Sequence, residues 1–293
     1  MLNYHLIKLK LYKNIAALFL TAVLALSFCT IATAADTSAD DTAGGGVRVP
    51  VLMYHSLHHS ARDKWVLPPD QFEADLRYLS ENGYTAVFAS DLAEFVHGDG
   101  ALPEKPILLT FDDGVYNNYT KALPLLEKYD MRIVLSVIGS AADLWTSNDY
   151  GTDEEYGHCT WQQLAEMSRS GRVELSSHTQ NLHNCKNGRN GCTRKKGESQ
   201  DEYREMLAAD LRGLQEKFAE HCGVVPICFA YPFGAFCPEA DEVLEEMGFT
   251  VTLSCYEKGA NLLQKGEPGG LRDMYRFNRG PGRSAEKILT GMK

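Results

Sequence analysis

The sequence has no surplus of positive charge: 29 Lys and Arg face 39 Asp and Glu, a net charge of −10. Such a balance does not suit a polyanionic partner such as nucleic acid. Internal repeats are absent too, so the 293 residues, 44% of them hydrophobic, read as one large core in one domain and not as a solenoid. The first 34 residues lack any acid. They carry Lys8, Lys10 and Lys13, an apolar run from Ile15 to Ile31, and then Ala32-Thr33-Ala34. This is the pattern of a secretory signal cleaved after Ala34, with an uncleaved membrane anchor as the alternative. Without that segment the balance becomes 26 − 39 = −13. Residues 35–46, with the run DTSADDTAGGG, read as a flexible tether, leaving 47–293 as the folded domain of an exported or envelope-associated protein.

Beyond that segment an even cysteine count is also missing. Past residue 34 the chain keeps Cys159, Cys185, Cys192, Cys222, Cys228, Cys237 and Cys255, so export permits disulfides but leaves at least one thiol over. Cys185 and Cys192 bracket two Asn-Gly steps, which favour tight turns, and a local bridge is expected there first, with Cys222 and Cys228 as second choice.

What is present is an alternation of short apolar runs with helical patterns. Strands are expected over Val49–Tyr54, Tyr84–Phe88, Ile107–Phe111, Arg132–Ile138, Val173–Ser177, Ile227–Tyr231 and Phe249–Leu253. Helices are expected between them, among them one opened by the Thr160/Gln163 capping box and one over Asp201–His221 with Leu207, Leu211, Leu214 and Phe218 in a stripe. Roughly seven or eight βα units in one domain favour a closed parallel barrel, whose chemistry sits at the carboxyl ends of its strands.

Two constellations lie at such ends. The first is Thr110-Phe111-Asp112-Asp113-Gly114, where an apolar strand stops at two adjacent carboxylates. Neighbouring side chains on extended backbone diverge, so the two acids are expected in separate roles, with Gly114 supplying a turn. A helix N-cap would explain only one of them. The second is Ser177-His178-Thr179 with His183. Two imidazoles can converge on one cation such as zinc, cobalt or nickel, and Asp113 completes a His₂Asp set with open positions, as a catalytic metal needs. A closed structural zinc site of His178, His183, Cys185 and Cys192 is the competing arrangement.

With Val51-Leu52-Met53-Tyr54-His55 and Phe229-Ala230-Tyr231-Pro232-Phe233-Gly234, these motifs make the chain from about Val49 to Arg279 resemble the polysaccharide deacetylases of carbohydrate esterase family four. The step from His178 to His183, with Leu182 before the second, is similar to the branch acting on poly-N-acetylglucosamine. The resemblance implies a distorted (β/α)₇ TIM-like barrel and a divalent metal, zinc first, on Asp113, His178 and His183. It implies Asp112 as general base, the Phe233 N–H as an oxyanion donor, and Tyr231 and Pro232 against the substrate. The implied activity is removal of N-acetyl groups from a glycan by a monomeric, metal-dependent hydrolase.

Two departures stand out. Many relatives carry Arg where this chain has Ala230, and Arg272, Arg276 or Arg279 is expected to take its place beside the base. No histidine follows His221, so the general acid is expected from His55, while His58 and His59 read as a solvated loop. A carbohydrate-binding protein on a decayed scaffold is the alternative function, which the complete Asp112, Asp113, His178 and His183 set argues against. A glycosidase is a third reading, ranked last because adjacent carboxylates cannot straddle a glycosidic bond at about 5–9 Å without a further acid.

Overall fold

The computed structural model describes residues 46–292 apart from 61, 62, 149 and 151. The expected signal and all but the last residue of the expected tether lie outside the described residues. Among the described residues no helix is long and apolar enough to cross a membrane.

The strands in chain order are β1 (Val47–Val49), β2 (Val51–Tyr54), β3 (Ser56–Leu57), β4 (Val66–Leu67), β5 (Thr85–Val87), β6 (Pro106–Phe111), β7 (Ile133–Val137), β8 (Val173–Ser177), β9 (Cys228–Ala230), β10 (Val251–Leu253), β11 (Asn261–Leu263) and β12 (Phe277–Asn278). The helices are α1 (Pro69–Glu81), α2 (Ala89–His97), α3 (Leu123–Tyr129), α4 (Gly139–Ser147), α5 (Trp161–Arg169), α6 (Gln200–Lys217), α7 (Pro238–Glu246) and α8 (Ala285–Gly291). The main sheet runs β10-β9-β8-β7-β6-β2-β12, all neighbours parallel, with β5 on the first half of β6. A single parallel bridge from Leu253 to Met274, just ahead of β12, carries the curl most of the way to closure. This is the expected distorted seven-strand barrel.

The strands form because both their faces are covered: every residue of β6 and of β7 is buried. Leu52, Leu109, Phe111, Ile133 and Leu135 belong to one core under α1, α3 and α5, each fully buried side chain contributing roughly 1.5–3 kcal/mol. Val51, Leu108, Val134 and Val251 belong to a second cluster on the other face. The Thr160 capping box forms as expected, Thr160 accepting from Gln163 N–H and Gln163 returning to Thr160 N–H. The expected Val49–Tyr54 strand is split at Pro50, and its first part pairs antiparallel with β11. Helix α4 falls where the sequence suggested only a loop.

The C-terminal segment is held by a buried ion pair. Asp75 on α1 accepts from Arg279 Nε at 2.6 Å and Nη2 at 3.1 Å, from Tyr54 hydroxyl at 3.2 Å and from the Ala285 N–H that opens α8 at 3.0 Å. Asp75→Ala leaves the Arg279 charge buried and unpaired, and is expected to destabilise the fold by about 3–5 kcal/mol. Urea unfolding of the two proteins measures it; a change below about 1 kcal/mol, the scale of an exposed pair, would contradict the assignment.

The cysteine expectation is corrected. All seven described cysteines are free. The Asn-Gly steps do make turns, with positive φ at Asn187, Gly188 and Gly191. They aim Cys192 inward, however: it is fully buried in a cluster with Tyr203, Leu207 and Phe229, its N–H donating to Ala235 O and its carbonyl accepting from Tyr203 hydroxyl at 2.6 Å. Cys185 stays exposed, its Sγ 3.0 Å from Asn190 Oδ1. The second choice fails because Cys228 is buried in the cluster of β9 and β10, whereas Cys222 packs on the other core beside Trp161 O.

Candidate metal and active site

Asp112 and Asp113 follow β6 directly. The turn that separates them is made at Asp113 itself, with φ +74°, and continued at Gly114 with φ +70°. A non-glycine residue in this conformation is strained, and such strain gathers at functional sites; Thr179 (φ +72°) and Phe233 (φ +59°) share it. Neither aspartate caps the following helix, whose helical residues begin at Tyr116 and pass into a π turn at Asn118.

The turn sends the two carboxylates to different partners. Asp113 Oδ1 lies 3.3 Å from His183 Nε2 and 3.6 Å from His178 Nε2, is buried, and has no hydrogen-bond partner. One ligand atom from each of the three residues falls within 4.8 Å of the others. His178 Nδ1 sits 2.7 Å from Ala230 O, which fixes the proton there and turns a bare Nε2 toward Asp113. Burial lowers the pKa of His178 to about 3 and lowers that of His183, so both rings are neutral at ordinary pH, as ligation requires. An orphaned carboxylate oxygen facing two neutral imidazoles is a donor set suited to a divalent cation. The competing zinc site fails because Cys192 is in the core and Cys185 faces Asn190.

Asp112 is gripped by Arg276, whose Nη1 and Nη2 donate to Oδ1 and Oδ2 at 2.8 Å each. Burial pushes the Asp112 carboxyl up, but Arg276, followed by His178 and His55, outweighs it and holds the group well below the usual carboxylate range. The guanidinium is itself fixed by Ser254 O at 2.7 Å and Thr110 Oγ1 at 3.2 Å. Of the three arginines offered by the sequence, Arg276 is therefore the one at the aspartate; Arg272 pairs with Asp241 and Arg279 with Asp75. His55 Nε2 is 4.0 Å from Asp112 Oδ2, and its buried Nδ1 has no partner.

Phe233 follows β9 in a one-turn 3₁₀ segment, Pro232–Gly234, with its ring 4.5 Å from that of His183. Gly234 must be glycine here, since a Cβ would stand 2.9 Å from Cys255 Cβ. Tyr231 is fully buried and donates to Asp241 at 2.9 Å, and Pro232 is buried, so both shape the turn from beneath. His59 is exposed beside Asp70, and the half-buried His58 bonds Ser60.

One residue escaped the sequence reading. Asp210 on α6 accepts the N–H of Gln180 at 2.8 Å and of Asn181 at 2.9 Å, the loop between His178 and His183. Nothing in the sequence separates it from Asp201, Glu202, Glu205 and Glu216 on the same helix.

A sequence model described as polysaccharide deacetylase matches residues 99–252, more than half of the chain. The chain belongs to the polysaccharide deacetylase family. It is 29% identical over 233 residues to the poly-beta-1,6-N-acetyl-D-glucosamine N-deacetylase of Escherichia coli (strain K12), covering 73% of this chain and 34% of that protein, so it spans about a third of that relative. Among solved structures, IcaB from Ammonifex degensii superposes with a TM-score of 0.65 at 25% identity, over 84% of this chain and 97% of the other. The Streptococcus pyogenes deacetylase PplD, solved with acetate, gives a TM-score of 0.68 at 21% identity over 85% and 99%, and supports the fold.

Proposed function

We propose that this polysaccharide deacetylase is an exported, metal-dependent enzyme that removes N-acetyl groups from a poly-N-acetylglucosamine chain and releases acetate. The observation that carries the reading is the pairing of a buried, unpartnered Asp113 Oδ1 between His178 and His183 with an arginine-clamped Asp112 beside it. The poly-N-acetylglucosamine substrate is supported by the named activity of the Escherichia coli relative. Export is supported by the basic, acid-free N-terminus with its apolar run.

Asp113, His178 and His183 would hold the cation, with zinc favoured and cobalt or nickel fitting the same donors. Once bound, it would polarise the acetyl carbonyl and make water easier to deprotonate. Asp112, kept ionised by Arg276, takes the proton of the attacking water. The Phe233 N–H stands at the start of its turn, where helical donors have no internal partner, and supports the oxygen that gains charge. His55 delivers a proton to the departing amine.

Acetate release from poly-β-1,6-N-acetylglucosamine, chitin oligomers and peptidoglycan, with and without chelator, tests this reading. Acetate from the first, lost with chelator and restored by zinc, is the expected outcome. Shortened sugar chains, or no acetate from any substrate with zinc-loaded protein, would overturn it.

A further inference from the structure

Two exposed aromatic rings flank the site, each packed on a histidine of it. Phe233, 49% exposed, lies against His183 on the β9 side. Trp65, 38% exposed, lies against His55 on the β2 side, with ring centroids 4.6 Å apart. Beyond Trp65 opens a pocket of about 370 Å³ lined by Met53, Trp65, Cys255, Glu257, Asn278 and Arg283. Its inner wall backs directly onto the reacting centre: Cys255 Sγ is 4.0 Å from Met53 Sδ and 3.7 Å from Arg276 Nη2, the same nitrogen that holds Asp112.

The lining defines the ligand. Arg283 Nη1 donates to both Glu257 oxygens at 2.8 Å, and Asn278 N–H donates to Glu257 Oε1 at 3.0 Å. Glu257 and Arg283 thus neutralise each other, and the charge left at the rim is the Lys64 ammonium over Trp65, which suits an uncharged polar guest better than an ammonium. An indole wall, sulfur atoms behind it and hydrogen-bonding groups at the rim match a pyranose, which has an apolar C–H face and a hydroxyl edge. The volume lies at the small end of the roughly 300–1,000 Å³ range of ligand clefts, which suits one sugar unit. Lys64 Nζ stands 4.5 Å over the Trp65 ring, on a flexible exposed side chain that a sugar face can displace.

We propose that this pocket is a subsite for the N-acetylated sugar unit adjacent to the one being deacetylated, in the same chain. It rests on the proposed deacetylase reading. A rim whose excess charge is the Lys64 cation accepts an intact N-acetylglucosamine unit and does not favour a deacetylated, cationic one.

Two measurements on the zinc-loaded protein test it. In the first, kcat/KM for acetate release is compared across β-1,6-N-acetylglucosamine oligomers from dimer to pentamer. The pentamer-to-dimer ratio is expected to be at least about 10, worth roughly 1.4 kcal/mol, and to fall below about 3 in Trp65→Ala and in Asn278→Ala, mostly through KM. In the second, calorimetry gives the Kd of the pentamer for each protein, with at least a tenfold weakening expected in both variants and thermal melting checking that they fold. Acetate release with an unchanged ratio and unchanged Kd in the variants would overturn the subsite and leave the deacetylase reading standing. Trp65-dependent binding without acetate release would keep the subsite and overturn the reaction. Neither binding nor acetate would overturn both.

Discussion

His178→Ala and His183→Ala are each expected to abolish tight binding of a divalent cation and turnover together. Either change leaves two protein ligands where the structure gathers three, Asp113, His178 and His183. Losing an outer partner of a metal ligand costs about 10–100-fold in affinity, and losing a ligand itself should exceed that. Asp210→Ala supplies the internal scale. It frees the N–H groups of Gln180 and Asn181 but removes no ligand, so a loss inside that 10–100-fold window is expected. Competition with a chromophoric chelator measures all three without relying on turnover. Stoichiometric, tight metal in either histidine variant would show that the cation is held elsewhere.

How much of this was legible in the sequence depended on whether the deciding contact was local. Strand β8 was read with its observed limits, because in Val173–Ser177 the apolar Val173 and Leu175 alternate with Glu174 and Ser176 between Gly171 and the histidine loop. The Leu207, Leu211 and Leu214 stripe was read because a helix buries one face at a fixed period, and all three are buried. Helix α4 was not read. Its start is fixed by Gly139 N–H to Thr179 O and Ser140 N–H to Gln180 O, contacts that span some forty residues and leave no periodic trace.

The site divides in the same way. Asp113 and His178 stood out because they follow strand ends, which the fold gathers, and His183 because it lies five residues beyond His178 in the same loop. That Asp113, not Gly114 alone, makes the turn was hidden, since aspartate visits positive φ too seldom to be assigned there from sequence. Arg276 could be narrowed only to one of three, because β12 reaches β2 across the whole chain. Cys192 misled for the converse reason: its turn was local and correctly read, but the direction of its side chain is set by Tyr203 and Ala235.

The second large effect concerns Asp112. Asp112→Asn is expected to retain metal and to lose about 10²–10⁴ in kcat, since an amide fills the place of the carboxylate but cannot accept a proton. The substitution also strands Arg276, which is fully buried and had both carboxylate oxygens as partners. Unpairing a buried charge costs about 3–5 kcal/mol, so a lost activity could reflect a lost fold. The double variant Asp112→Asn with Arg276→Met removes both charges and separates the two effects, because replacing a whole buried pair is often neutral for stability. The double variant should melt closer to the parent than the single one, bind metal as the single one does, and remain inactive. Asp113→Asn, by contrast, should weaken the metal. Equal metal retention in the two asparagine variants, or a double variant that recovers more than about a tenth of the parent kcat, would contradict the assignment of proton acceptance to Asp112.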